Sequence, residues 1–186
     1  MSLCVSLWDN SHKWIRCILN NRRLEKSELD ILQFVLTGNF CNIDFGVTKD
    51  KLISIGLTPD DWLNEKTIET SALWRFGNVE FYFDKKNKLT SIFSDYVAKK
   101  LDCGQKIEII NYWLLKRRKI TLQKTIEELL YLKLDFNKKL VNPGYIQLNL
   151  NNGVYFLFDF INDLSDKHNI WTMTAIGKEN TNIKSK

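Results

Sequence analysis

The sequence contains few residues that break, bend or cross-link a chain. Its 186 residues include only 2 prolines and 8 glycines, which excludes collagen-like and linker-dominated architectures. The 4 cysteines lie far apart and form no CxxC pair: they are Cys4, Cys17, Cys41 and Cys103. Because no histidine lies at metal-ligand spacing from them, the sequence does not favour a zinc site. We expect reduced, mostly buried thiols, as in cytosolic proteins.

Long apolar runs and cofactor motifs are also absent. No run approaches the ~18 residues that a membrane-spanning helix needs, and Met1–Val5 has no charged region followed by a long apolar one. We therefore expect a cytoplasmic protein that does not contact a membrane. The sequence has no GxGxxG, GxxxxGK[ST] or HExxH motif, and we interpret His12 and His168 as surface residues. These absences predict a protein that is not an enzyme and that uses no cofactor or metal.

The composition that remains is that of a folded domain with an uneven charge distribution. Apolar residues make up 44% and aromatic residues 12% of the chain, enough for one compact core. The net charge is +5, and residues 97–119 alone carry that excess, whereas residues 43–96 have a net charge of −2. The basic run Lys116–Lys119 favours a solvated helix end. The alternative is a phosphate contact, helped by Arg22 and Arg23, in a nucleic-acid-associated or regulatory protein.

The apolar spacing of the first half predicts helices followed by a hairpin. After an N-terminal helix around Trp14, a second helix is predicted to begin at Ser27-Glu28 and to end at Gly38. Thr48 is expected to cap a third helix that ends at Gly56. Short aromatic runs around Gly/Asn pairs then predict three antiparallel strands: Ala72–Phe76, Val79–Phe83 and Leu89–Phe93.

A similar pattern returns in the second half. A capped helix is predicted to begin at Ile120-Thr121, and three strands follow: Tyr145–Leu150, Val154–Asp159 and Ile170–Ile176. Val79-x-Phe81-x-Phe83-Asp84 matches Val154-x-Phe156-x-Phe158-Asp159, 75 residues later, and Val47-Thr48 matches Ile120-Thr121, 73 residues later. Two anchors with nearly equal offsets favour an internal duplication, although any two aromatic hairpins look somewhat alike.

These elements predict an α+β fold in one compact unit. Two helix–hairpin repeats are expected to form antiparallel sheet with helices packed on one face, and the N-terminal helices are expected to cover an end. The predicted segments in chain order are an N-terminal helical segment (1–42), a first repeat (43–98), a connecting helix (99–119, helical from Gly104 to Arg118), a second repeat (120–178) and a polar tail (179–186).

The first repeat resembles known helix–hairpin proteins. Gly46-Val47-Thr48-x-x-x-Leu52-x-x-Ile55-Gly56, a turn with Pro59 and an aromatic hairpin resemble the helix–hairpin unit of the bacterial outer-membrane barrel-assembly lipoprotein. The tandem arrangement is similar to the β-lactamase inhibitor protein. The segment Trp74–Asp84 resembles small bacterial proteins and immunity proteins of contact-dependent inhibition and other polymorphic toxin systems. This resemblance implies a cytosolic protein that neutralises a cognate toxin by covering its active or substrate-binding site.

The candidate binding residues lie in a loop and on the hairpin. An aromatic anchor among carboxylates between the third helix and the first strand suits a basic toxin surface. The alternative is an acidic, solvated loop with Trp62 turned inward. The outward-facing hairpin residues offer a second surface. A net charge of +5 fits a basic partner poorly, so only the acidic 43–96 segment offers complementarity. The residues predicted to bind a partner are Asp60, Asp61, Trp62, Glu65, Glu69, Arg75, Glu80 and Tyr82.

Overall fold

A computed structural model describes residues 26–63, 66–97, 100–142, 144–161 and 170–180. The first predicted helix, around Trp14, lies outside these ranges. The strands in chain order are β1 (Ser27–Asp30), β2 (Asp61–Trp62), β3 (Leu73–Phe76), β4 (Val79–Phe83), β5 (Leu89–Ser94), β6 (Ile107–Asn111), β7 (Phe136–Asn142), β8 (Tyr145–Leu150), β9 (Val154–Ile161) and β10 (Ile170–Glu179). The α-helices are α1 (Ile31–Thr37), α2 (Lys49–Ser54) and α3 (Leu122–Tyr131).

Each helix begins at a side-chain cap. The Thr48 hydroxyl accepts a hydrogen bond from the Lys51 amide, 3.4 Å away, and the Thr121 hydroxyl does the same for Lys124 at 3.2 Å. Such bonds satisfy amides that have no partner within the first turn. Gly38 ends α1 in the left-handed conformation, with φ 74°, which glycine adopts at little cost. The caps of α2 and α3 and the end of α1 are therefore confirmed.

The fold is mixed α and β, and it is dominated by one antiparallel sheet. Eight strands pair in the order β2-β3-β4-β5-β10-β9-β8-β7, and β1 and β6 form a separate parallel pair. The three strands predicted for each half are confirmed. In each half a capped helix precedes four strands, and the last strands of the two halves, β5 and β10, meet in the middle. In the structurally described part of the chain, no helix is long and apolar enough to cross a membrane.

The core lies against one face of the sheet. The predicted alternation of the aromatic hairpin is confirmed, because its inward-facing side chains are at most 6% exposed: they are Trp74, Phe76, Phe81 and Phe83. The rings of Phe34 and Phe40 connect α1 to this layer, since Phe40 contacts Phe81 at 5.6 Å between centroids. Leu52 of α2 and Leu129 of α3 belong to the same cluster. We call this the core face and the opposite side the outer face.

The predicted connecting helix from Gly104 to Arg118 is wrong. Ile107–Asn111 forms β6, and only Trp113–Lys116 is helical, as a single 3₁₀ turn. The isoleucines of this segment fit a helical period, but they are β-branched residues that also favour strands. Pairing with β1, in which Ser27 aligns with Ile107, favours the strand over the helix.

Other boundaries also differ from the prediction. The second predicted helix begins at Ile31 and not at Ser27, because Ser27–Asp30 pairs with β6. The connection after α2 contains β2, a two-residue strand at the edge of the sheet. β7 was not predicted, and Glu179, assigned to the polar tail, is the last residue of β10.

Candidate functional site

Four of the predicted binding residues form one polar chain on the outer face. Strand register places Asp61 beside Arg75 and Arg75 beside Glu80. The Arg75 guanidinium lies 3.5 Å from the Asp61 carboxylate and 3.2 Å from that of Glu80. The Tyr82 hydroxyl donates to the other Glu80 oxygen at 2.5 Å. Three adjacent strands, β2, β3 and β4, therefore hold these side chains in a fixed order.

The environment of Tyr82 keeps its hydroxyl protonated. Burial raises the pKa of Tyr82 to about 12, and the hydrogen bond to Glu80 acts in the same direction. The phenol therefore remains a hydrogen-bond donor throughout the physiological range. The ring is 38% exposed, so this side chain offers apolar surface and a polar group together.

Tyr155 on β9 lies on the same outer face, across the middle of the sheet from the polar chain. It pairs with Gly177 of β10, which in turn pairs with Phe93 of β5. A Cβ atom built on Gly177 would lie 2.6 Å from the Tyr155 ring, so the ring lies across the glycine in the space that a side chain would need. Tyr155 is 8% exposed. Burial and the nearby Glu179 carboxylate raise its pKa to about 12.

The resulting surface is acidic on a chain of net positive charge. Glu179 lies on the outer face because it pairs with Ser91, and Ser91 pairs with Tyr82. The charged members are then three carboxylates and one guanidinium. We name this surface the outer patch, and its residues are Asp61, Arg75, Glu80, Tyr82, Tyr155 and Glu179.

Asp60, although adjacent to Asp61, has a structural role. Its carboxylate accepts hydrogen bonds from the Gly77 amide at 3.0 Å and from the Gln105 amide at 3.4 Å. A Cβ at Gly104 would lie 1.7 Å from the same carboxylate. Asp60 thus joins the β3–β4 turn to the segment before β6, and the structure does not bring it into the outer patch.

Trp62 lies on the other side of the sheet from the outer patch. Its register partner is the buried Trp74, and residues directly opposite each other share a face. The indole N–H donates to the Lys66 carbonyl at 2.8 Å, and the side chain is 36% exposed. Trp62 and the outward-facing hairpin residues therefore lie on opposite faces of the sheet.

Glu69 also lies away from the patch, and Glu65 falls outside the described residues. The Glu69 carbonyl accepts a hydrogen bond from the ammonium of Lys49, 2.8 Å away. A hydrogen bond from Thr67 lowers the pKa of the Glu69 carboxyl. Lys49 is 1% exposed and also donates to the Asn87 side chain at 2.9 Å. Its burial lowers the pKa of its ammonium, and it ties α2 to two loops.

The sequence analysis missed Tyr155, Gly177 and Glu179. A signal for Tyr155 was present, because the repeat that matches Val79 with Val154 places Tyr155 where the first half has Glu80. Alternation along β9 also separates Tyr155 from the buried Phe156. Nothing local marks Gly177 or Glu179, because both lie beyond the predicted end of the last strand.

The basic run predicted from the sequence lies at the surface of the protein. The side chains of Lys116–Lys119 are exposed, and Arg117 lies 3.9 Å from Glu128 of α3. Arg22 and Arg23 lie outside the described residues.

In the ranges that the structure covers, no group of three or more His, Cys, Asp or Glu side chains is arranged to hold a metal ion.

Comparison of the chain with protein-family models, curated proteins and solved structures gave no match. The resemblances drawn from the sequence therefore stay predictions.

Proposed function

We propose that this chain is a non-enzymatic protein-binding protein whose partner docks on the outer patch. The observation that carries the proposal is the ordered polar chain from Asp61 to Tyr82, which lies beside a tyrosine packed on glycine. Tyrosine and arginine are the residue types that contribute most to binding energy at protein interfaces. Their fixed positions reduce the entropy that association must overcome.

The charge of the patch specifies the partner. Asp61, Glu80 and Glu179 outnumber Arg75, so a basic surface is complementary to it. This answers the difficulty raised by the net charge of +5, because complementarity depends on the surface that docks. With the resemblance of the Trp74–Asp84 segment, we infer a cognate bacterial toxin, bound in the cytoplasm so that its active or substrate-binding site is covered.

We further propose that the two halves are a duplicated unit. The amide of Leu89 donates to the Val47 carbonyl at 2.9 Å, and the amide of Met173 donates to the Ile120 carbonyl at 2.8 Å. Val47 and Ile120 precede the capping threonines of α2 and α3. The two helices thus enter against β5 and β10 through equivalent contacts. A duplicated scaffold with a shared outer face provides a broad binding surface.

The test is co-expression with the product of the gene immediately upstream. We expect the wild-type chain to co-purify with that protein and to relieve its toxicity. Tyr82→Ala is expected to weaken the complex by about 2 kcal/mol, as truncation of an interface tyrosine does. Arg75→Glu should weaken the complex through faster dissociation, because it breaks the polar chain, and its added negative charge should not slow association with a basic partner.

The matched control is Tyr131→Ala at the end of α3. Tyr131 is 83% exposed on an element that packs on the core face, so it is expected to leave affinity unchanged. Circular dichroism of each variant checks folding. Equal affinity of the Tyr82, Arg75 and Tyr131 variants would reject the outer patch, and absence of both binding and protection would reject the toxin-directed function.

A further inference from the structure

One end of the sheet is formed by the long strand β7. β7 pairs with β8, and in the described ranges no strand pairs with its other side. The opposite end of the sheet is closed by β2, which has only two residues. An unpaired edge presents a row of backbone donors and acceptors to another extended chain. β7 is therefore a template for strand addition, and it lies at the far side of the sheet from Asp61 and Arg75.

The side chains of β7 define what such a strand must carry. Residues 137–142 are all exposed, and Leu140 reaches 64%. Lys138 and Lys139 make no ion pair with any residue in the described ranges. Register places Lys139 beside Gln147 on the outer face and Lys138 beside the buried Leu148 on the core face.

An apolar depression lies on the core face next to this edge. It has a volume of about 400 Å³ and includes Lys138 in its lining. Most of its other lining is apolar: Leu122, Ile126, Ile170 and Trp171. An added strand alternates its side chains between the two faces. One set then faces Lys139, and the other set faces Leu140 and the depression.

We propose that the β7 edge binds an extended acidic peptide segment by strand addition, with carboxylates toward Lys139 and apolar side chains toward the depression. A second copy of the chain fits less well, because antiparallel pairing of two β7 strands places lysines near lysines, and like charges across strands are destabilising. Strand addition supplies affinity through the backbone and specificity through alternate side chains. This site is separate from the outer patch.

The test uses the full chain, labelled with ¹⁵N, and a capped six-residue peptide of alternating glutamate and valine. We expect saturable protection from hydrogen exchange of those amides in Phe136–Leu140 that point away from β8. A peptide of the same sequence with alternate N-methylated amides, which lacks donors toward the strand, is expected to give none. Lys139→Glu should bind the glutamate peptide at least roughly threefold more weakly, and it should bind a lysine–valine peptide more tightly than wild type does.

The matched control is Lys85→Glu, an exposed lysine in the β4–β5 turn, which should bind the glutamate peptide as wild type does. Equal binding of the N-methylated peptide, or no protection of β7 by the glutamate peptide, would overturn the proposal. Protection that rises with protein concentration alone would assign the edge to a second copy. Because Lys139→Glu leaves the outer patch intact, toxin binding reports independently on the function proposed above.

Discussion

Gly177→Ala should destabilise the protein by displacing the Tyr155 ring and crowding the Ile92 carbonyl. The new Cβ would lie 2.6 Å from the Tyr155 ring and 2.8 Å from the Ile92 carbonyl oxygen. Both distances are shorter than van der Waals contact, so the ring must leave its place and the strands must separate slightly. Overpacking of this kind costs about 1–3 kcal/mol. We expect Gly177→Ala to lower the free energy of unfolding by about 2 kcal/mol.

The assay is a double-mutant cycle measured by denaturant unfolding. In a Tyr155→Ala background the ring contact is gone, and only the contact with the Ile92 carbonyl remains. The cost of Gly177→Ala should therefore fall, with a coupling energy of about 1 kcal/mol or more. If the two substitutions are additive within about 0.5 kcal/mol, the ring does not depend on the glycine and the reasoning fails. Tyr155→Phe loses the hydroxyl but retains the ring carbon 2.6 Å from the new Cβ, so it should keep most of the cost.

Three further outcomes are expected. Folding raises the pKa of Tyr155 from 10.0 to about 12, so its contribution to stability is complete below pH 10 and is lost as the pH rises toward 12. Between pH 10 and 12 the melting temperature of Tyr155→Phe should therefore fall less steeply than that of the wild-type protein. Lys49→Met should lower the free energy of unfolding in urea by about 1–3 kcal/mol because two partly buried hydrogen bonds lose their donor, whereas Lys85→Met should cost nothing measurable. Asp60→Ala should lower the free energy of unfolding by about 1 kcal/mol without weakening partner binding. A loss of affinity with unchanged stability would show instead that Asp60 contacts the partner.

Local patterns predicted the elements that have one buried face. β4 alternates buried apolar residues with Glu80 and Tyr82, and β9 carries phenylalanine at every second position from Phe156 to Phe160. Thr48 and Thr121 are followed by helical spacing, so the sequence carries the structure of these elements directly. β7 has no such pattern, because both of its faces are exposed beyond Phe136. β6 depends on a partner strand 80 residues earlier. Its isoleucines also fit a helical spacing, so the sequence predicted a helix there.

Only half of the proposed binding surface could be predicted by the same reasoning. Arg75, Glu80 and Tyr82 follow from alternation on a single hairpin. The face of Trp62 is set by its pairing with Trp74 across a connection of several residues. The place of Tyr155 depends on a glycine contributed by the last strand, so no local window of sequence contains both.

The central pairing of β5 with β10 also governs how the chain can be synthesised. Ser91–Ser94 pairs with Ile176–Glu179, so the join between the halves can form only after the residues between these two strands have also been synthesised. Until then β5 presents an unpaired strand edge in the nascent chain. Such long-range pairing slows folding and exposes partly folded chains to aggregation. A chain that stops before Ile176 therefore has both halves of its sheet but no join between them, and we expect it to require chaperone binding to stay unaggregated.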